Sequence, residues 1–365
     1  MRIRAAVIEE RGGPFELTDL DLDEPRPDEV LVRVVAAGIC RTDLHIRDQA
    51  YPVPLPVVAG HEGAGIIERV GAGVSTVAPG DQVVMSYPYC GQCRFCQGAR
   101  YSYCERGFEL LFGGQRLDGS NALSRDGEVV HGHMFQQSSF ATHALATEGN
   151  VVKMPPGSAL ELLGPLACGL QTGAGTVMNV LHPRPEESVA VFGTGSVGLA
   201  AVMAARIVGA YPILAVDVLE ERLALALDLG ATHTINAARD DTAARVRSVT
   251  KSGADYVIET SGVPEMLTVA LEALVTTGTA VLVGAPPVGA RAEIDMKTLL
   301  NGRTLRGIIE GDACEKLFIP QLLGLYQRGL FPFERLIRRY AFDDINQAVA
   351  DMEAGRVVKP VLQMG

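Results

Sequence analysis

Residues 188–217 constrain the fold more than any other stretch. Residues 188–192, Ser-Val-Ala-Val-Phe, are the short β-branched apolar run that a buried parallel strand requires. Gly193, Gly195 and Gly198 follow at the spacing G-x-G-x-x-G, with Thr194, Ser196 and Val197 between them. Glycines so spaced allow a tight turn, a close backbone approach to a pyrophosphate, and close packing of helix on strand. An apolar helical run to about 208 would aim its unpaired N–H groups and positive dipole end at those phosphates. A second strand, 213–217, ends in Asp217, whose carboxylate can accept hydrogen bonds from an adenosine ribose. Strand, turn, helix, strand and acid in this order predict a dinucleotide site containing Gly193, Gly195, Ser196, Val197, Gly198 and Asp217.

The downstream chain extends this unit. Helix around 220–229, strand 233–235, helix 241–251, strand 256–259, a helix from 264, and strands 280–284 and 304–309 predict a six-stranded doubly wound parallel sheet. Upstream, residues 1–85 read as all-β: short alternating runs such as 30–35, with Pro25, Pro27, Pro52, Pro54 and Pro56 confined between them. Residues 108–150 read as loop-rich before a return to strand at 139–145. The tail from 310 shows helical runs at 315–329 and 343–354 and a final strand at 357–362. The expected organisation is a β domain over 1–169 with a small lobe at 90–104, a dinucleotide domain over 170–309, and a tail, 310–365, that returns to the first domain.

Composition narrows the partners. A net charge of −11 argues against nucleic acid or an anionic membrane as principal partner. No apolar run is long enough to span a bilayer, and the first residues lack the apolar core of a signal peptide. Of seven cysteines, Cys90, Cys93, Cys96 and Cys104 cluster tightly. That spacing suits a closed tetrahedral zinc shell better than a disulfide framework, and a closed shell is structural. No second ligand pair, recognition helix or basic excess supports a nucleic-acid zinc finger. A reducing cytoplasm is the expected location. His131 and His133 form an H-x-H pair, His131 reading as a polar loop residue; His143, His182 and His233 read as structural. Cys314 is left as a free thiol without an assigned role.

Two further motifs complete the picture: Gly38-Ile-Cys40-Arg41-Thr42-Asp43-Leu44-His45, and Gly60-His61-Glu62-Gly63-Ala64-Gly65 followed by Gly71 and Gly73. With these in place the chain resembles, from end to end, the zinc-dependent medium-chain alcohol dehydrogenases. Their G-H-E-x-x-G-x5-G-x2-V pattern begins here at Gly60, and their four-cysteine lobe is at 90–104. Within that family it is most similar to the aryl- (benzyl-) alcohol dehydrogenases, through the segments 47–56, 164–169, 284–287, 307–311 and 359–362.

The resemblance implies a GroES-like β catalytic domain joined to a Rossmann domain, with two zinc ions per chain and NAD as cofactor. It implies that Cys40, His61 and Cys168 hold a catalytic zinc in a Cys₂His arrangement with one open position, and that Glu62 stands behind the metal. The implied chemistry is reversible hydride transfer from a zinc-bound alkoxide to nicotinamide. Thr42 and His45 would relay the proton to solvent. Arg41 and Lys359 would contact the pyrophosphate, Lys359 standing where many relatives carry arginine, and Arg222 the ribose. Tyr51, Met134, Phe135 and Ile309 would wall the substrate, a primary aromatic or allylic alcohol. A homo-oligomer, dimer or tetramer, is implied as well. There are two alternatives: a glutathione-dependent formaldehyde dehydrogenase, which shares both zinc sites, and a non-catalytic binding or structural protein of the same fold, which should have lost zinc ligands or relay groups, none of which is missing here.

Overall fold

Four consecutive apolar residues without polar alternation, Val189–Phe192, require cover on both faces of a sheet, and all four are buried. Their strand lies between Ile213–Asp217 and Ala254–Glu259, parallel to both. In the computed structural model, which describes residues 1–365, the six-stranded parallel sheet runs in the order His233–Asn236, Ile213–Asp217, Val189–Phe192, Ala254–Glu259, Leu274–Leu282, Thr304–Gly307. This is the doubly wound sheet expected. The strand order reverses beside Val189–Phe192, the place where such sheets open a crevice for a ligand.

The chain divides into two compact units: Met1–Cys168 with Cys314–Pro320 and Glu334–Gly365, and Gly169–Ala313 with Gln321–Phe333. The tail is therefore shared between the units, Gln321–Phe333 clustering with the parallel sheet and the rest after Ala313 with the β unit.

The β unit is built on the strand Glu29–Gly38, eight of whose ten residues are buried. One edge pairs with Gly63–Val70. The other is divided, His143–Thr147 covering Glu29 to Arg33 and Lys359–Gln363 covering Ala36 to Gly38. A separate five-stranded sheet contains Arg2–Ile8 and Phe15–Leu22. Between the sheets lies an apolar core centred on residues such as Ile8, Leu20, Leu31 and Phe140. Phe140 is wholly buried and meets Phe15 edge to face at 5.7 Å; truncating such a ring to alanine costs about 3–5 kcal/mol.

Three expectations are corrected. Residues 1–85 are not all-β, because Arg41–Arg47 forms a helix. Its start is fixed by Asp43, whose Oδ2 accepts the Cys40 N–H at 2.9 Å while the Asp43 N–H reaches the Cys40 carbonyl. The segment expected to be loop-rich contains a short helix, Gly107–Phe112. The tail has a strand that sequence alternation did not reveal, Ile337–Ala341, lying parallel to a final strand that begins at Lys359. Ile337–Ala341 reads Ile-Arg-Arg-Tyr-Ala, too polar to announce itself. No helix is long and apolar enough to cross a membrane.

Candidate metal centre and dinucleotide turn

Cys40 caps the helix Arg41–Arg47, His61 and Glu62 lead into the strand Gly63–Val70, and Cys168 closes the first segment of the β unit. One ligand atom from each of Cys40, His61, Glu62 and Cys168 can be chosen so that all lie within 4.8 Å of one another. His61 and Glu62 are wholly buried. His61 Nδ1 lies 2.9 Å from Asp43 Oδ1, leaving Nε2 buried with no hydrogen-bond partner. A buried ring nitrogen without a partner, aimed among two sulfurs, suits a soft or borderline cation such as Zn²⁺. The donor set therefore fits the ion that the sequence implied.

The electrostatics agree. A hydrogen bond from the Cys168 side chain, aided by the charges of Lys359 and His61, holds the Cys40 thiol well below its ordinary range despite burial. Burial alone would lower the His61 pKa, but Asp43 and Cys40 outweigh it and raise the imidazole's basicity. A carboxylate behind a ligating imidazole fixes its tautomer and strengthens it as a donor.

The four-cysteine lobe is equally tight, its sulfurs also lying within 4.8 Å of one another. Backbone N–H groups support them: Cys93 N–H donates to Cys90 Sγ at 3.4 Å and Cys90 N–H to Cys104 Sγ at 3.3 Å. Such donors, chiefly those of Glu105 and Cys96, pull the Cys93 thiol down to about 6, whereas burial pushes Cys96 up to about 12. Tyr89 and Tyr101, stacked at 4.3 Å, pack against the lobe. No cysteine is in a disulfide.

In the second unit Gly193 adopts φ 89°, and a Cβ at Gly198 would stand 1.9 Å from the Gly193 carbonyl oxygen. Only glycine fits there. The helix Ser196–Val208 starts from Gly195, with Ser196 and Val197 in its first turn. Asp217 Oδ2 accepts the Thr194 N–H and hydroxyl, both at 2.7 Å, and Oδ1 accepts Val218 and Leu219 N–H at 2.8 and 3.1 Å. The acid thus braces the glycine turn as well as facing the crevice end of its strand. Arg222 Nη1 donates to the Thr194 carbonyl at 3.3 Å.

Comparison with known proteins bears on this arrangement. The model of the alcohol dehydrogenase GroES-like domain matches residues 26–156, and that of the zinc-binding dehydrogenase domain residues 196–326. A geraniol dehydrogenase of Castellaniella defragrans is 44% identical, over 98% of this chain and 97% of its own. The chain belongs to the zinc-dependent medium-chain alcohol dehydrogenases. Among solved structures, the benzyl alcohol dehydrogenase of Acinetobacter calcoaceticus is 47% identical with a TM-score of 0.97 over all of both chains. An alcohol dehydrogenase zinc-binding domain protein of Burkholderia ambifaria is 51% identical with a TM-score of 0.98, covering 100% of this chain and 99% of its own. The dehydrogenase is an oxidoreductase whose family uses zinc and NAD or NADP.

Other predicted residues of the dehydrogenase fall as follows. Thr42 Oγ1 lies 3.9 Å from Cys40 Sγ. His45, one turn further along the helix, is half-buried, and burial together with the Arg41 charge lowers its pKa. Arg41 is exposed at the first position of that helix. Phe135 stacks on the His61 ring, centroids 4.4 Å apart. Aromatic contacts continue from Phe135 to Phe112 at 5.7 Å, to Tyr51 at 5.1 Å and to His45 at 5.4 Å. Ile309 is 47% exposed on the second unit.

Two assignments are corrected. Lys359 is not available to a pyrophosphate: it is 1% exposed, and Nζ donates to both Glu62 carboxylate oxygens at 2.8 and 2.9 Å and to the Ile39 carbonyl at 3.1 Å. Burial opposes the charge, but the Glu62 carboxylate and the neighbouring thiols keep the ammonium protonated, its pKa raised. Met134 has no exposed surface and belongs to the apolar core between the β sheets, so it walls no open cavity.

Two residues were missed. Asp43 orients His61, and its signal was available as an acid three positions after the helix-capping Cys40. Gln137 Nε2 donates to the carbonyls of His61 and Met85 while its Oε1 accepts Gly63 N–H, clamping the His61 segment. Nothing in the local sequence distinguishes Gln137 from Gln136.

Proposed function

We propose that this dehydrogenase oxidises primary aromatic or allylic alcohols to aldehydes, reversibly, with NAD as acceptor. In this reading one zinc ion is held by Cys40, His61 and Cys168, and a second, structural one by Cys90, Cys93, Cys96 and Cys104. The observation that carries the substrate class is the continuous aromatic path Phe135–Phe112–Tyr51, which begins on the ligand His61 and ends on His45. Flat rings beside the metal cluster favour a flat apolar substrate over a single methyl group. The names of the relatives, geraniol dehydrogenase and benzyl alcohol dehydrogenase, point the same way.

Zinc, when bound there, supplies a Lewis acid that makes an alcohol hydroxyl acidic. The chain's own residues supply the rest. Cys40, His61 and Cys168 leave one position for substrate. The Thr42 hydroxyl, beside Cys40, receives the substrate proton, and His45 passes it to solvent; with its pKa lowered, His45 is a ready acceptor at neutral pH. Arg41 offers an exposed charge to the cofactor phosphates. Gly193, Gly195, Ser196, Val197 and Gly198 give the pyrophosphate backbone N–H groups, and Asp217 and Arg222 bind the ribose.

A panel of alcohols tests the reading. Benzyl, cinnamyl and terpenoid allylic alcohols should show kcat/KM at least ~100-fold above ethanol, about 3 kcal/mol of discrimination. Equal values for ethanol and benzyl alcohol overturn the substrate class. A homo-oligomer, dimer or tetramer, belongs to the same reading. The support is exposed apolar surface on the short helix Met296–Leu300, which precedes the edge strand Thr304–Gly307 in sequence: Met296 and Leu300 are each 84% exposed. Light scattering that gives a monomer overturns it.

A further inference from the structure

Glu62 poses a chemical problem. Its carboxylate joins Cys40, His61 and Cys168 in a group whose ligand atoms fit within 4.8 Å, so the chain brings four donors to a site where substrate needs one position free. Glu62 is wholly buried, and water cannot hold its charge in place. A buried carboxylate within reach of a divalent cation, with no other partner, coordinates it.

Lys359 is that other partner. Its Nζ contacts both Glu62 oxygens, at 2.8 and 2.9 Å, and its remaining hydrogen bond, to the Ile39 carbonyl at 3.1 Å, fixes the ammonium. The lysine backbone is equally restrained. It opens the strand Lys359–Gln363, and Ile39 N–H donates to the Pro360 carbonyl at 3.0 Å. Gly38 leaves room for the carboxylate, since a Cβ there would stand 2.1 Å from Glu62 Oε2. The carboxylate is thus held against a fixed ammonium on the side of Gly38 and Ile39.

We infer that Lys359 is a positioning residue that retains Glu62 by a two-oxygen ion pair and so keeps the fourth metal position open. The inference rests on the proposed zinc site at Cys40, His61 and Cys168. Without the ammonium, Glu62 moves onto the ion and closes the site with a fourth protein ligand.

The test reads the metal and not turnover. Cobalt replaces zinc at this cluster, and imidazole is titrated as an external ligand while the visible cobalt bands are followed. In Lys359→Met and in Lys359→Gln the bands should shift as a carboxylate enters, and imidazole affinity should fall at least about tenfold, the range expected when a group supporting a metal site is removed. Lys359→Arg, which can keep a two-oxygen pair, should retain the parent spectrum and affinity. Glu62→Gln combined with Lys359→Met removes both charges, should fold even where the unpaired charge of Lys359→Met does not, and should restore imidazole binding. Parent-like imidazole affinity in Lys359→Gln overturns the inference. So does a double variant that binds imidazole as poorly as Lys359→Gln, which would make the lysine merely structural. Cys40→Ser serves as control and should abolish the cobalt bands. Bands that survive Cys40→Ser overturn the proposed metal site itself, and this inference with it.

Discussion

His61 Nδ1 and Asp43 Oδ1 are 2.9 Å apart, and neither side chain has any exposed surface. The same Asp43 oxygen accepts Gly60 N–H at 3.1 Å, and the other accepts Cys40 N–H at 2.9 Å. One carboxylate therefore orients a ligand imidazole and ties together the backbones beside two ligands. Asp43→Asn keeps the shape but removes the charge. Metal retention at the Cys40 cluster should weaken about 10- to 100-fold, measured by competition with a chelator. Unchanged retention would show that Asp43 serves only the helix start.

The four-cysteine lobe yields a different expectation. Cys104→Ser should reduce bound zinc from two ions per chain to one, counted against the two clusters of ligands. It should also lower the Tm, since binding at a structural zinc site is itself folding free energy. Metal analysis and a melting curve on one preparation check both. One ion or none in the freshly prepared parent protein would overturn the two-zinc reading.

His133 should make the fold sensitive to mild acid. Burial, with the Arg116 charge adding, lowers its pKa to about 4 from 6.5, and its Nε2 has no partner. Above pH 6.5 neither folded nor unfolded chain protonates this ring, and its stabilising contribution is complete. As pH falls from 6.5 to about 4 only the unfolded chain binds the proton, so stability is lost across that window, by about 3 kcal/mol. His133→Asn removes the titration and tolerates the left-handed backbone at φ 57°. Urea unfolding at pH 7 and pH 4.5 should show a smaller difference for the variant than for the parent; equal differences would contradict the assignment.

Cofactor choice should depend on Asp217. A 2′-phosphate would meet its carboxylate charge, and like charges in a cleft discriminate strongly. NAD should be preferred, and Asp217→Asn should narrow the NAD-to-NADP ratio of kcat/KM by about tenfold or more. Because Asp217 also braces Thr194, the KM for NAD should rise in the variant. Equal use of both cofactors by the parent would remove Asp217 from the ribose.

Phe135 is a wall of the proposed pocket and also the cover of His61. Alanine would expose the ligand, so Phe135→Leu is the cleaner substitution: it retains apolar cover and removes the flat face. The ratio of kcat/KM for benzyl alcohol to that for ethanol should fall about 3- to 10-fold, an aromatic contact of about 0.5–1.5 kcal/mol. A fall confined to ethanol would place the ring elsewhere.

What could be read in the sequence followed periodicity and spacing. The parallel sheet was legible because Val189–Phe192 is apolar throughout and Ile213–Val216 beside it likewise, and the glycine turn because Gly198 tolerates no side chain. The four-cysteine lobe was local and equally plain. Cys168 could be joined to Cys40 and His61 only through resemblance, because no local pattern spans the intervening chain. Lys359 was misread for the converse reason: resemblance to an arginine position suggested a phosphate contact, while its actual partner, Glu62, lies 297 residues away. Met134 was misread through resemblance as well: it belongs to the β core, while its neighbour Phe135 stacks on His61.

The separation of Glu62 from Lys359 also has a meaning in time. At about 5–20 residues per second, a ribosome needs about 15–60 s to pass from one to the other. Cys40, His61 and Cys168 have all emerged well before the lysine does. During that interval Glu62 has no ammonium to pair with. It gains one only when Lys359–Gln363 pairs with Ala36 to Gly38. The ligand set is complete early in synthesis, and the ion pair on which the inferred open position depends can form only at its end.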